Sequence, residues 1–139
     1  MTALVIDCSV AICWCYEHEG SDLTHAALRH VAVHTAVAPA LLCLEIANVL
    51  ATNLRKKSLT EDRLTSYVAQ LQRLHWELEP LDLTRSLGSI LALAQKHGLT
   101  SYDAAYLEMA KRRELPLATH DKDLAAAAKR ERVKLFKAP

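Results

Sequence analysis

Four carboxylates, Asp7, Glu45, Asp103 and Asp121, are the residues of this 139-residue sequence whose types and settings could do chemistry. Asp7 closes one short apolar run, Ala3–Ile6, and Asp121 stands just after another, Leu115–Thr119. Three of the four also have an ordinary structural explanation. Asp7 and Asp121 can each cap the helix that follows, accepting from its first backbone N–H groups. Thr100-Ser101-Tyr102-Asp103 has the form of a capping box. Glu45 is different, because it is embedded in Ala40-Leu41-Leu42-Cys43-Leu44-Glu45-Ile46-Ala47, a run that otherwise reads as core. A lone carboxylate in a core is costly to desolvate. At helical spacing Glu45, Asn48, Thr52 and Arg55 form one polar stripe, which is either a solvated face or the wall of a cleft.

If the four acids meet, they cannot all stay ionised without a compensating cation. Oxygen-only donors select a hard dication, Mg²⁺ or Mn²⁺ rather than Zn²⁺. Such an ion keeps several waters, one of which can become a nucleophile. Two ions roughly 3.5–4 Å apart can both activate that water and stabilise the leaving oxygen of a phosphodiester. No histidine or lysine base is then needed. Whether the acids meet depends on the elements that carry them.

Those elements alternate. Short apolar strands are expected at Ala3–Ile6, Thr35–Ala38, Trp76–Leu81, Leu115–Thr119 and Val133–Phe136. Between them, helical patterns run over Cys8–Glu17, Asp22–Val33, Leu41–Lys57, Thr84–His97, Thr100–Arg113 and Asp121–Arg132, with a further helix capped by Thr60 and facing the core with Leu64, Val68, Leu71 and Leu74. Gly98 reads as a C-cap. Short apolar strands separated by longer helices indicate an α/β fold, a parallel sheet of about four to five strands with helices on both faces, in a single domain spanning 1–139. In such folds ligands bind beyond the carboxyl ends of the strands. Asp7 and Asp121 fall on that edge.

Composition narrows the class without naming it. Apolar residues make up 51% of the chain and glycine and proline number only 3 and 4, which fits a packed domain and argues against low-complexity disorder. The N-terminus lacks a basic region and carries an acid inside its apolar run, unlike a signal peptide. The longest stretch without a charged residue, His30–Leu44, is too short for a bilayer and contains Pro39, so a cytoplasmic protein is expected. Cysteines 8, 13, 15 and 43 match no zinc-finger spacing and read as small buried apolar residues. His30 and His34 share a helical spacing but lack a third ligand nearby. The net charge of +1 conceals a division: residues 1–110 carry net −4 and residues 111–139 net +5. That asymmetry suits a polyanion partner and equally suits a basic surface helix.

The segments around the acids carry a resemblance. Val5-Ile6-Asp7-Cys8-Ser9-Val10 resembles the opening Asp-x-Ser of PIN-domain proteins, particularly VapC-type toxins of bacterial toxin–antitoxin pairs. Glu45-Ile46-Ala47-Asn48 is similar to their helical Glu-x-x-Asn, and Ser101-Tyr102-Asp103-Ala104-Ala105-Tyr106 to their Asp-Ala-x-Tyr helix start. Leu117-Ala118-Thr119-His120-Asp121-Lys122-Asp123-Leu124 resembles their Thr-x-Asp strand end. All four stand in order along essentially the whole chain. The resemblance implies a PIN-like three-layer sandwich and Mg²⁺- or Mn²⁺-dependent RNA cleavage with one or two ions. It makes Asp7, Glu45, Asp103 and Asp121 the catalytic metal ligands, with Ser9, Asn48 and Thr119 as polar supports and Asp123 as an extra acid. It further implies a homodimer and a VapB-type antitoxin that covers the groove. Arg55, Lys56, Lys57, Lys111, Arg112 and Arg113 are the candidates for RNA phosphates, although such runs also occur as ordinary helix ends. Cys8 departs from the hydroxyl or apolar residue expected at its position, which leaves the ligands intact and places a thiol beside them.

Two other readings compete. A Mg²⁺-dependent phosphatase of the haloacid type has Asp-x-Asp after its first strand, where this chain has Asp7-Cys8-Ser9, and a receiver-type site needs a further acidic pair that is missing. A non-catalytic PIN-like module that binds RNA or protein is the stronger alternative, and the presence of all four acids argues against it.

Overall fold

The computed structural model describes residues 3–16 and 20–139. Strand β1 (Ala3–Ile6) is followed by α1 (Cys8–Ala11), a 3₁₀ turn (Ile12–Cys15) and α2 (Asp22–Val33). Then come β2 (Thr35–Pro39), α3 (Leu41–Arg55), α4 (Glu61–Arg73) and β3 (Trp76–Glu79). The next connection contains α5 (Leu83–Arg85), a π turn (Ser86–Ile90), α6 (Leu91–His97) and α7 (Ser101–Arg113), and leads to β4 (Leu117–Ala118) and α8 (Lys122–Arg130).

The sheet has the order β3-β2-β1-β4, with every pair parallel. The first two crossovers step one way, from β1 to β2 to β3. The third returns across the sheet to the far side of β1. Because parallel crossovers are right-handed, α1–α4 then lie on one face and α5–α7 on the other. The packing agrees: α2 lies against β1 and β2, while α7 lies against β1, β2 and β4. The outcome is the expected three-layer α/β sandwich. Leu4, Val5 and Ile6 are fully buried, as a central parallel strand covered on both faces requires. The direction of winding reverses between β1 and β4, so the topological switch point lies at their carboxyl ends.

Several expected boundaries shift. The fifth strand, Val133–Phe136, contracts to one bridge in which Leu135 pairs with Leu117, because β4 itself is only two residues long and offers little edge to extend. The helix expected over Cys8–Glu17 is α-helical only to Ala11 and tightens into the 3₁₀ turn through Cys15; Glu17 lies outside the described residues. The segment 83–97 is interrupted by a π turn at Ser86–Ile90 that includes Gly88. Leu64, Leu71 and Leu74 pack against the core as expected, but the fully buried residue of α4 is Tyr67, its hydroxyl donating to the Ala11 carbonyl at 2.6 Å, while Val68 is exposed. Gly98 takes the left-handed conformation (φ 64°) expected of a helix C-cap.

Candidate active site

The chain leaves β1 at Asp7 in an extended conformation and turns at once into α1. Asp7 is 3% exposed. Its Oδ1 accepts from the Val10 N–H at 3.1 Å, which caps α1, and from the Ser9 hydroxyl at 2.6 Å. Its Oδ2 accepts from the Thr119 hydroxyl, just beyond β4. Thr119 Oγ in turn accepts from the Asp121 N–H at 3.0 Å, and Ser9 Oγ from the His120 N–H at 2.9 Å. Two hydroxyls thus lace the ends of β1 and β4 together across the switch point. Asp121 caps α8 through Oδ1, which accepts from the Leu124 N–H at 2.8 Å.

The other two acids arrive from the two faces of the sheet. Glu45, in the first half of α3, is half-buried, and its Oε1 accepts from the Tyr106 hydroxyl at 2.6 Å. Tyr106 belongs to α7 and is 1% exposed. Burial, then the neighbouring carboxylate, pushes its phenol well above the ordinary range, so it remains a donor. Asp103 lies in the first turn of α7, where Thr100 caps the helix by accepting from the Asp103 N–H at 3.1 Å.

Electrostatics joins these four. Burial, first, and the charge of Asp103 push the Asp7 carboxyl up, against its own hydrogen bonds. Glu45 is raised by burial and by the charges of Asp103 and Asp7. Asp103 is raised by burial, then by Asp121 and Asp123. Asp7, Glu45 and Asp103 therefore each feel at least one other acid of the group. Among the described residues no lysine, arginine or histidine forms an ion pair with any of the four. The same environment pushes the Cys8 thiol up to about 12, by burial first and then Glu45 and Asp7, which suppresses the reactive thiolate.

This donor set fits a hard dication. The acids supply only oxygen, no cation among the described residues pairs with their charge, and burial, first, with the neighbouring acids raises the carboxyls of Asp7, Glu45 and Asp103. Among the described residues no three His, Cys, Asp or Glu side chains are gathered tightly enough to hold an ion by themselves. Mg²⁺ does not require that, since it commonly takes one or two carboxylates and retains water or phosphate at its other positions.

The remaining candidates divide. Ser9 and Thr119 support Asp7 directly. Asp123 is exposed at the start of α8, close enough for Asp103 to feel its charge, and Asn48 is exposed on α3. The polar stripe of α3 therefore begins at the cleft with Glu45 and runs out into solvent. Arg55, Lys56 and Lys57 are exposed and form no ion pair among the described residues. The other basic run is engaged: Lys111 with Glu131 at 2.6 Å, Arg112 with Glu108 at 2.7 Å and with Glu79, and Arg113 with Glu77 at 2.9 Å. Tyr106 stands out among residues that sequence patterns did not assign to the site. Its signals there are its place as the tyrosine of the Asp-Ala-x-Tyr segment and its spacing three residues after Asp103, which puts both near one face of a helix.

The sequence model of the PIN domain family matches residues 4–130. The chain is 32% identical over 123 residues to Ribonuclease VapC3 of Pyrobaculum aerophilum, covering 88% of this chain and 92% of the relative. The crystal structure of PAE2754 from the same organism superposes with a TM-score of 0.64 at 21% identity, covering 91% of this chain and 86% of that one, and supports the fold.

Proposed function

From the premise that this chain belongs to the PIN-domain family, we propose that it is a Mg²⁺- or Mn²⁺-dependent endoribonuclease, the toxin of a toxin–antitoxin pair. The observation that carries this reading is that Asp7, beside the switch point, Glu45 and Asp103 are each raised by burial and by other acids of the set, Asp121 acting on Asp103, while none of the four has an ion-pair partner among the described residues. The ribonuclease named in the comparison supports the choice of RNA as substrate. Asp7, Glu45, Asp103 and Asp121 would hold the metal, as one or two ions. When bound, the ion supplies an activated water and offsets the charge that builds on a phosphodiester in the transition state.

The chain's own residues prepare for this. Ser9 and Thr119 fix both oxygens of Asp7, so that a buried carboxylate keeps one orientation. Thr119 also holds the backbone from which Asp121 projects. The acids repel RNA until a cation is present, so productive RNA binding waits on the metal. Of the basic residues proposed for RNA phosphates, Arg55, Lys56 and Lys57 are exposed and form no ion pair among the described residues. A VapB-type antitoxin, a homodimeric state and a cytoplasmic location complete the reading by analogy with the VapC relative. No helix among the described residues is long and apolar enough to cross a membrane.

The test is cleavage of structured RNA by purified protein. Activity is expected with Mg²⁺ or Mn²⁺, none with EDTA, and none in Asp7→Asn. Full activity in EDTA or in Asp7→Asn overturns the reading. Absence of Mn²⁺ binding by calorimetry, with and without RNA, would support a non-catalytic module instead.

A further inference from the structure

We propose that Tyr106 is a positioning residue for Glu45: its hydroxyl, donated from α7 to Oε1 on α3 at 2.6 Å, aims the one acid of the site that no cap or strand end restrains. This rests on the reading of Glu45 as a metal ligand and specifies how that ligand is held.

The other acids stand at the starts of helices. Asp7 accepts from Val10, Ser9 and Thr119, and Asp121 is locked as the N-cap of α8. Asp103 has a short side chain in the first turn of a helix whose start Thr100 caps. Glu45 instead sits within α3 on a long side chain, whose immobilisation carries a substantial rotamer-entropy cost. A donor with few rotatable bonds, anchored in the core, reduces that cost before any ion arrives.

Tyr106 has those properties. It is 1% exposed on a stretch of α7, Ala104 to Ala110, that is buried throughout, so the hydroxyl is placed by core packing rather than by its own freedom. It lies one helical turn from Asp103, so α7 presents one acid and the support of another from a single rigid element. The contact also joins α3 to α7, on opposite faces of the sheet. A buried tyrosine needs some acceptor for its hydroxyl, and a structural role would be satisfied by that alone. The two roles predict different responses to removing one oxygen.

Tyr106→Phe keeps the ring and deletes the donor. Calorimetric titration with Mn²⁺ at neutral pH is expected to show affinity weakened about tenfold, within the 10–100-fold range typical of groups that orient metal ligands. The Mn²⁺ concentration for half-maximal RNA cleavage should shift by a similar factor, with the rate recovered at saturating Mn²⁺. In a Glu45→Ala background the same change should add less than a twofold loss, because its target is gone. Unchanged Mn²⁺ affinity in folded Tyr106→Phe, or a full further tenfold loss in the Glu45→Ala background, overturns the positioning role. Wild-type protein that binds no Mn²⁺ removes the nuclease reading itself, a failure distinguishable because it appears before any variant is made.

Discussion

Asp7 and Asp121 serve the backbone with the same carboxylates proposed to hold the metal, which is why single residues of this candidate site look unremarkable. Asp7 and Asp121 do cap helices, and Asp103 does follow a capping threonine. Burial and then the charges of Asp121 and Asp123 raise the Asp103 carboxyl. A carboxyl whose folded value lies above its unfolded value binds its proton more readily in the folded state. In metal-free protein its penalty is complete above the raised value and is relieved as pH falls through that value toward the ordinary one. Asp103→Asn is therefore expected to cost at least about 100-fold in cleavage, beyond the effect of an outer-shell change, while the Tm in EDTA stays level or rises. A lower Tm in EDTA would contradict the uncompensated-charge account. Added Mn²⁺ should raise the wild-type Tm more at pH 7.5 than at pH 5.5, since protons and metal compete for the same oxygens.

Helix ends are where this molecule uses its cations. Glu131 caps the C-terminus of α8, a position where the helix dipole disfavours an acid. It is compensated by Lys111 of α7 at 2.6 Å and by Lys96 and His97 of α6 at 2.7 and 2.6 Å. Those partners, Lys111 first, pull its carboxyl down to about 2. The sign is opposite to that of Asp103: the stabilisation is present above the ordinary glutamate value and lost as pH falls toward about 2. Glu131→Gln should destabilise by roughly 1–2 kcal/mol at pH 7, a value discounted for the exposed lysines. The difference from wild type should shrink between about pH 4.5 and 2 in urea unfolding. A difference that persists undiminished at pH 2.5 would mean the cluster contributes packing rather than charge. Arg112, between Glu108 and Glu79, links α7 to the end of β3 in the same manner.

Across the whole molecule, the basic C-terminal quarter is not one free patch, because Lys111, Arg112 and Arg113 are spent on carboxylates of the fold. Lys56→Ala with Lys57→Ala should weaken RNA binding across sequences and lower the salt slope by up to about 2, near one per phosphate contact. Arg112→Ala should lower the Tm with little change in that slope; the reverse pattern would put the RNA path along α7. The two kinds of basic run look alike along the chain, since a sequence lists charges without their partners. By itself it did determine the α/β class, the strand at Ala3–Ile6 and most helix spans, and it singled out the four acids as candidates, because hydrophobic period, capping chemistry and short motifs are local properties. It also flagged Glu45, through the cost of an acid in an apolar run. Only the tertiary structure decided that the order β3-β2-β1-β4 sets the switch point beside Asp7, that the last strand is a single bridge at Leu135, and that Tyr106 reaches Glu45 across 61 residues. Those outcomes depend on which strand ends meet and which side chains face each other, and long-range packing settles both.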